Sequence, residues 1–370
     1  MKILHLYKNA LPQSTGGVET MIDALASYTT EKGHFCKVIV VSESHDSGTF
    51  IYNGYEVKVF KQDFGLQSNP FSLSWLKSVF VEIGDYDIVH HHYPFPSGDL
   101  SSVLFQFKGT KFITTYHSDI IKQRILLLPY LILRMLFFYK VDAIVATSEN
   151  YLKTSVQLKN WLHKAEVIPI GIKDPTIEKR TELHYSFIND KKPFFLFLGE
   201  ARHYKGLNFL IKAAGMSSSY NLVLAGFTAR NSEINELIKK YGNGNIVLLG
   251  HISQEAKNSL LAQCLGVVCA SNNRAEAFGL SLVEGAAFSK PLISCEISTG
   301  TSFVNINQET GLVVPHSDEV RLFEAMNYLV KNKSEAKRMG ENGRLRYQKL
   351  FTYARMGEQY LTIYKKMLSK

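Results

Sequence analysis

Residues 2–31 read KILHLYKNALPQSTGGVETMIDALASYTTE, and they open with a pattern that recurs along the whole chain. The first six residues, Lys2–Tyr7, are mostly apolar and have the length of a buried strand. A loop follows and ends in Gly16-Gly17, and an amphipathic stretch then covers Val18–Glu31. Strand, glycine loop and helix in this order begin a β-α-β unit.

Short apolar runs rich in β-branched residues alternate with longer amphipathic stretches from end to end. The strands predicted in the first half are Lys2–Tyr7, Lys37–Val41, Ile88–His91, Phe112–Tyr116, Ala143–Thr147 and Glu166–Pro169. Those predicted in the second half are Phe194–Leu198, Leu222–Ala225, Ile246–Leu249, Gly266–Ala270, Pro291–Ser294 and Gly311–Val314. This alternation is typical of parallel sheets with helices on both faces. We therefore predict an α/β chain of two Rossmann-like, doubly wound domains that face each other across a cleft at the carboxyl ends of their strands.

The length of the chain also favours two domains, because 370 residues exceed one ordinary core. The polar segment 173–192, which contains Pro175 and many charges, is the predicted linker. It separates an N-terminal domain of residues 1–172 from a C-terminal domain of residues 193–350. The last stretch, from about Ala336 onward, is predicted to be helical and amphipathic.

Composition limits the class of protein and the kind of partner. Apolar residues make up 45% and charged residues 20%, as in an ordinary globular protein. The net charge of +9 suits a diphosphate, a membrane surface or nucleic acid. No nucleic-acid-binding module is present, so we predict no nucleic-acid partner. The 4 cysteines are scattered, without a C-x-x-C pair. They indicate a reducing compartment, and the N-terminus lacks the features of a signal peptide, which favours the cytoplasm.

Gly16 and Gly17 are candidate ligand-binding residues. Two glycines let the backbone approach a ligand closely, and the first amides of the following helix would point at it. The alternative is an ordinary turn between strand and helix. The G-x-G-x-x-G fingerprint of dinucleotide enzymes is absent here, which weighs against an oxidoreductase.

Arg202 and Lys205 follow the predicted strand Phe194–Leu198 and precede another helix. Two cations at the carboxyl end of a parallel strand suit a diphosphate, since each can contact a different phosphate oxygen and neutralise charge on a leaving group. The alternative is a solvated basic loop.

The segment Glu276-Ala-Phe-Gly-Leu-Ser-Leu-Val-Glu284 contains the richest set of candidates. Gly279 permits a tight turn, and Ser281 with Glu284 has the S-x-x-E form of a capping box at a helix start. Amides at this start would be ready for a phosphate, and Glu276 before the turn would reach sugar hydroxyls. Glu284 either closes the capping box or binds the ribose of a nucleotide. The candidate ligand-binding residues of the segment are Phe278, Gly279, Leu280, Ser281 and Glu284.

Histidines end two of the predicted strands. His90, His91 and His92 are consecutive, and because neighbours along a strand alternate between faces, they cannot all face one metal ion. No carboxylate pair with metal spacing accompanies them, so we predict that no metal is bound. His117, at the end of the strand Phe112–Tyr116, is a candidate cleft residue, with a satisfied histidine at a strand end as the alternative.

The segment Arg124–Lys140 is apolar and aromatic but too short to span a bilayer, and Pro129 and Arg134 interrupt it. A helix of this composition either lies in the membrane interface or packs within the protein. We expect partial membrane contact, because apolar residues surround most of its circumference.

With these motifs in place, the chain resembles glycosyltransferase family 4, the retaining nucleotide-sugar enzymes of GT-B fold. The resemblance covers nearly the whole chain, and the pair Glu276 and Glu284 around Phe-Gly-Leu is its specific mark. It implies that residues 351–370 form a helix that crosses back to the N-terminal domain. It also implies catalysis without a metal or other cofactor.

The resemblance assigns roles at matching positions. Glu284 would bind the ribose and Glu276 the transferred sugar, with His117 beside the reacting bond. Lys205 and Arg202 would bind the diphosphate, although many members have an arginine directly after the glycine where this chain has Glu200. The predicted catalytic residues are His117, Glu276, Lys205 and Arg202. Phosphate and base contacts would come from the backbone of Gly16, Gly17 and Ile252.

The stretch Thr115–Gln123 resembles bacterial enzymes that build O-antigen or other surface polysaccharides. This similarity implies transfer of mannose from GDP-mannose to a polyprenyl-diphosphate-linked oligosaccharide, at the inner face of the cell membrane, by a peripheral cytoplasmic enzyme. One alternative is a UDP-sugar donor carrying glucose, galactose or N-acetylglucosamine. An alternative of another class is a non-catalytic nucleotide-sugar-binding protein.

Overall fold

The chain folds into two units, each built on its own sheet. The first unit contains residues 1–173 and those from Tyr353 onward, and the second contains residues 174–352. The computed structural model describes residues 1–14, 16–43, 47–66, 69–120, 127–183 and 192–369. The predicted α/β class, with two domains based on parallel sheets, is confirmed.

The first unit is built on an eight-stranded sheet in the order β10-β9-β8-β7-β1-β2-β4-β3. All neighbours are parallel except β3, which runs antiparallel to β4. Strand β7 is buried along its whole length, as a central strand of a sheet covered on both faces must be. The strands are β1 (Lys2–Tyr7), β2 (Phe35–Ser42), β3 (Gly48–Tyr52), β4 (Tyr55–Lys61), β5 (Phe64–Leu66), β6 (Asn69–Phe71), β7 (Ile88–Tyr93), β8 (Lys111–Tyr116), β9 (Ala143–Ala146) and β10 (Ala165–Val167). The helices of this part are α1 (Gly17–Glu31), α2 (Leu73–Glu82), α3 (Pro96–Leu104), α4 (Leu127–Lys140) and α5 (Glu149–Thr154).

Strands β3 to β6 are not among the predicted strands. Strand β3 is the edge strand of the sheet and is mostly exposed, and its neighbour β4 buries only alternate residues. Strands β5 and β6 form a separate two-stranded sheet, so no continuous apolar run marks any of the four. Asn53 and Gly54 have φ angles of 46° and 90° and form the turn between β3 and β4. Such turns connect tight hairpins. The Asn-Gly pair is the sequence feature that predicts this hairpin.

The second unit is built on a six-stranded parallel sheet in the order β13-β12-β11-β14-β15-β16. Its strands are β11 (Phe194–Leu198), β12 (Asn221–Ala225), β13 (Ile246–Gly250), β14 (Gly266–Cys269), β15 (Leu292–Glu296) and β16 (Gly311–Pro315). Its helices are α6 (Leu207–Gly215), α7 (Ser232–Tyr241), α8 (Gln254–Gln263), α9 (Leu280–Ala287), α10 (Thr301–Val304), α11 (Glu319–Lys331) and α12 (Lys333–Leu350). The apolar side chains of β11 and β12 pack with those of α6 and α11 in one core. The carboxyl ends of β11 and β14, which are neighbours in the sheet, therefore open at the same edge.

The described part of the predicted linker belongs to the second unit from Asp174 onward, whereas Lys173 belongs to the first. Asp174 forms an ion pair with Arg344, with Oδ2 and Nη2 2.6 Å apart. The backbone N–H of Thr181 donates to Ser259 Oγ at 3.0 Å. Residues 184–191 of this segment lie outside the described residues.

A last helix, α13 (Tyr353–Leu368), belongs to the first unit. Its side chains Tyr360 and Tyr364 are fully buried. The Tyr364 hydroxyl shares a hydrogen bond of 2.6 Å with Nδ1 of His90, and the Tyr360 hydroxyl shares one of 2.7 Å with Oγ1 of Thr115. The residues that continue the chain after the second unit thus complete the core of the first.

Helix α4 has one buried and one exposed apolar face. Phe137 and Phe138 are buried, and the helix packs against α3. The large apolar side chains exposed on its other face are Ile132, Met135, Leu136 and Tyr139. Residues 124–126 of the predicted segment lie outside the described residues. Among the helices that are described, none combines the length and the apolar character needed to span a membrane.

Candidate active site

Lys205 and Glu276 form an ion pair at the carboxyl edge of the second sheet. Lys205 ends a short turn after β11, and Glu276 lies in the loop between β14 and α9. Nζ of Lys205 is 2.5 Å from Oε2 of Glu276, which also accepts a hydrogen bond of 2.9 Å from Ser271 Oγ. The two side chains keep 14% and 10% of their surface exposed, so the pair is shielded but reachable.

Two opposing effects act on the ammonium group of Lys205. Burial alone would lower the pKa of Lys205, but the carboxylate of Glu276 outweighs burial and raises the pKa above its ordinary value. Lys205 is therefore a cation at neutral pH. A shielded cation attracts a phosphate more strongly than one in open water, because the effective dielectric constant is lower.

Arg202 lies in a different setting from Lys205. Its side chain is 64% exposed, and its Nη2 and Nε lie 2.6 and 2.7 Å from Oε2 of Glu200. Within the described residues, no hydrogen bond or ion pair joins Arg202 to Glu276. The structure therefore brings Lys205, but not Arg202, to the candidate sugar ligand, and the diphosphate role of Arg202 stays a prediction.

The predicted capping box of Ser281 and Glu284 at the start of α9 is wrong. The helix begins at Leu280, and its N-cap is Gly279 in the left-handed conformation, with φ of 84°. Ser281 is thus already inside the helix, and Gly279 has no side chain with which to cap it. Phe278 is buried and packs edge-to-face on Phe351. The first-turn N–H groups face the turn with the positive end of the helix dipole, which suits an anion.

Glu284 bonds a lysine that the sequence pattern does not reveal. Its Oε1 is 2.6 Å from Nζ of Lys257 on α8, and the Glu284 side chain is 14% exposed. Ile252 lies half-buried in the loop from β13 to α8. This loop leads directly into α8, the helix that contains Lys257. Lys257 stands 27 residues before Glu284 in the sequence, so only the fold of the second unit could bring their side chains together.

Gly16 and Gly17 lie at the start of α1, after the carboxyl end of β1. Gly16 is the N-cap and has extended backbone, and Gly17 is exposed at the first helical position. Thr20 Oγ1 donates to the carbonyl of Gly16 at 2.9 Å. The exposed start of this 15-residue helix is compatible with the predicted phosphate contact.

His117 follows β8 at the same edge of the first sheet. The residue is 6% exposed, and burial lowers the pKa of its imidazole to about 3. Its Nε2 is 3.0 Å from Nδ1 of His92, and its ring centroid is 6.4 Å from that of Tyr7. His117 is therefore a neutral imidazole at physiological pH.

The consecutive histidines of β7 alternate between faces, as predicted. His91 lies opposite the other two, with Nε2 3.1 Å from Oδ1 of Asp99. His90 and His92 share one face of the sheet with His5 of β1. Sequence reasoning did not identify His5 as part of this group. Ring nitrogens of these three lie within 4.8 Å of one another, close enough to hold a metal ion. Hydrogen bonds already engage both nitrogens of His90 and of His92. The absence of a metal stays a prediction.

The candidate residues thus form two groups, one in each unit. Each group lies at the carboxyl edge of its own sheet, where doubly wound folds bind ligands. The group of the first unit is Gly16, Gly17 and His117. The group of the second unit is Arg202, Lys205, Ile252, Glu276, Phe278, Gly279, Leu280, Ser281 and Glu284.

Family models match both halves of the chain. The glycosyltransferase family 4 model matches residues 15–174, and the model for glycosyl transferases group 1 matches residues 178–346. The chain is 38% identical to O-antigen chain mannosyltransferase C of Escherichia coli, over 100% of this chain and 99% of the relative. It is 37% identical to D-rhamnosyltransferase WbpZ of Pseudomonas aeruginosa, over 95% and 92% of the two chains.

Solved structures of low sequence identity share the fold. Sucrose-phosphate synthase from Thermosynechococcus elongatus gives a TM-score of 0.82 at 19% identity, over 100% of this chain and 99% of that one. Anabaena HepE in complex with UDP gives a TM-score of 0.78 at 16% identity, over 99% and 100% of the two chains.

Proposed function

Because the chain belongs to glycosyltransferase family 4 and is a nucleotide-sugar-dependent hexosyltransferase of GT-B fold, we propose that it transfers mannose from GDP-mannose to a polyprenyl-diphosphate-linked oligosaccharide. The family membership confirms the resemblance that the sequence predicts. Similarity to a relative named as an O-antigen chain mannosyltransferase supports mannose as the sugar and O-antigen synthesis as the pathway. Similarity to a D-rhamnosyltransferase makes D-rhamnose, which is 6-deoxymannose, the second candidate sugar.

The contact between Lys205 and Glu276 carries the proposal. In a nucleotide sugar, one oxygen joins C1 of the sugar to the β-phosphate, so a sugar ligand and a ligand of this phosphate must be neighbours. Nζ of Lys205 and Oε2 of Glu276 are 2.5 Å apart and meet this requirement. An ammonium group has three N–H donors, so Lys205 can keep Glu276 and also donate to the phosphate.

The same arrangement supports a route to the transition state. As the bond between C1 and oxygen breaks, the sugar becomes oxocarbenium-like and negative charge grows on the diphosphate. Lys205 and the first amides of α9 would stabilise that charge, so the proposal requires no metal. The acceptor hydroxyl would attack from the face that the diphosphate leaves and give its proton to the leaving phosphate oxygen. The anomeric configuration is then retained.

The nucleotide would extend from this centre along the second unit. Glu284 lies four residues after the helix start at Leu280, which is about 6 Å along the axis. A ribose joined to the diphosphate lies at a comparable distance. Only Oε1 of Glu284 bonds Lys257, so the carboxylate can hold this lysine and a ribose hydroxyl together. The base would meet the backbone near Ile252.

Donor choice is tested by calorimetry with nucleoside diphosphates. We expect GDP to bind at least about tenfold more tightly than UDP, a difference of about 1.4 kcal/mol. Labelled GDP-mannose should then pass its sugar to lipid extracts, with GDP-D-rhamnose and UDP-glucose as parallel arms. Tighter binding of UDP than of GDP would contradict the proposal that GDP-mannose is the donor. Nucleotide binding without transfer from any of the three donors would contradict both mannose and D-rhamnose as the transferred sugar.

A lipid-linked acceptor places the enzyme at a membrane surface, and we propose the cytoplasmic face of the cell membrane. The exposed apolar face of α4 supports this, because aromatic and aliphatic side chains beside basic residues suit the membrane interface. Two further basic residues that precede this helix in the sequence, Lys122 and Arg124, lie outside the described residues.

Membrane contact is tested by substitution on this face. Ile132→Glu is expected to lower binding to anionic vesicles about tenfold in a sedimentation assay, because burial of the apolar group is replaced by repulsion. Ile177→Glu is the matched control, since Ile177 is 84% exposed but belongs to the second unit. Equal vesicle binding by the two variants would contradict the proposed contact.

A further inference from the structure

Three imidazoles form a hydrogen-bonded line across neighbouring strands of the first sheet. His5 Nδ1 on β1 is 3.0 Å from His92 Nε2 on β7, and His92 Nδ1 is 3.0 Å from His117 Nε2 after β8. His5 and His92 are fully buried, and only His117 reaches the surface. The line therefore has one closed end and one open end.

All three rings are neutral at physiological pH. Burial lowers the pKa of His5 and of His117 to about 3 each. Burial and the neighbouring histidines lower the pKa of His92 well below its ordinary value. A neutral imidazole has one N–H donor and one accepting nitrogen. Since His92 bonds with both nitrogens, it must donate in one direction and accept from the other.

The line can therefore run in two senses only. If His92 donates from Nδ1, then His117 accepts at Nε2 and has its proton on Nδ1, while His5 donates from Nδ1 and has a bare Nε2. In the reverse sense, His5 has its proton on Nε2. This buried nitrogen has no hydrogen-bond partner in the described part of the chain. Buried N–H groups without an acceptor are rare, and a lone pair without a donor is tolerated more often. The buried Nε2 of His5 thus favours the first sense, in which His5 and His117 both have their protons on Nδ1.

Packing holds His92 in the orientation that this line needs. The ring of His90 stacks on that of His92, with centroids 4.4 Å apart and planes tilted by 19°. His90 is itself fixed by hydrogen bonds of 2.6 Å to Tyr364 of α13 and 2.7 Å to Thr115 of β8. The His92 ring therefore has little freedom to turn.

We propose that His92 is a positioning residue, which together with His5 holds His117 in the tautomer that has its proton on Nδ1. His117 then presents an N–H donor at the open end of the line. Such a donor binds an oxygen acceptor, a sugar hydroxyl or a phosphate oxygen. That this oxygen belongs to the transferred sugar rests on the proposed function, whereas the tautomer does not.

The tautomer is measured by ¹⁵N NMR of the histidine-labelled, full-length protein without ligand, with His117→Asn used to assign the resonance. We expect a neutral His117 with its proton on Nδ1. In His92→Phe, which keeps a ring but cannot donate, we expect His117 to shift towards the Nε2–H form. In His92→Asn, whose amide nitrogen takes the place of Nδ1, the wild-type tautomer should persist. A wild-type His117 with its proton on Nε2 would overturn the proposal, whatever the enzyme transfers.

Kinetics then separate positioning from packing. His92→Phe should lower kcat about tenfold or more with KM for the donor within about twofold, and His92→Asn should recover most of kcat. His91→Phe is the matched control, because His91 is equally buried in β7 but faces the other way. In the His91→Phe variant, His117 should keep the wild-type tautomer. A loss of kcat in His92→Phe with an unchanged tautomer would show a packing role and contradict the proposal.

Discussion

Replacing Lys205 with methionine is expected to lower kcat/KM about a thousandfold, equivalent to about 4 kcal/mol of transition-state stabilisation. Methionine keeps the length of the side chain and removes its charge. Lys205 is the shielded cation beside Glu276, so the charge that develops on the leaving diphosphate would lose its nearest partner. Initial rates of sugar transfer, with folding checked by circular dichroism, measure the effect.

Lys212 offers the matched control for this substitution. It lies on α6 of the same unit and pairs with Glu319, with 3.5 Å between Nζ and Oε1. Lys212→Met therefore also removes a paired lysine, but away from the candidate site, and we expect at most about a twofold change. Lys205→Met with activity within tenfold of the wild type would contradict the assigned role.

Replacing Glu276 with glutamine is expected to lower kcat about a hundredfold while nucleotide binding is kept. The neutral amide can still accept hydrogen bonds from Lys205 and Ser271, so the loop should keep its shape. The amide lacks the charge that strengthens hydrogen bonds from sugar hydroxyls as the ring becomes cationic. Removal of a carboxylate near the diphosphate should leave the Kd for GDP unchanged or lower it.

The opposite change in nucleotide affinity would exclude this assignment. A Kd for GDP that rises in Glu276→Gln would mean that the carboxylate organises the phosphate site in place of the sugar site. Glu319→Gln is the control, because it neutralises the partner of Lys212 and leaves the candidate site intact. Calorimetry and steady-state rates on the two variants separate these roles.

The sequence predicts the parts of this fold that depend on burial. Each of the twelve predicted strands corresponds to an observed one. Most of them are buried, and a strand buried on both faces must be an apolar run. The carboxyl ends of these strands also locate Lys205 and His117, each at the edge of its own sheet. A parallel sheet brings the carboxyl ends of its strands to one edge. The edge strand β3 obeys no such constraint, and its exposed residues conceal it.

The features that sequence reasoning missed depend on contacts between distant residues or on backbone conformation. Lys257 meets Glu284 and His5 meets His92 only after separate elements pack together. The start of α9 is decided by the left-handed backbone of Gly279, and Ser281 plays no part in it. A spacing rule such as S-x-x-E contains neither kind of information.

The return of α13 to the first unit has a consequence for the order of events during synthesis. Ribosomes add about 5–20 residues per second, so α13 is made about 10–40 s after residue 173. Throughout that interval the first unit lacks Tyr360 and Tyr364, whose hydroxyls bond Thr115 and His90 in its interior. All of residues 174–352 are made during the same interval. The unit that leaves the ribosome first is thus the one whose core closes last.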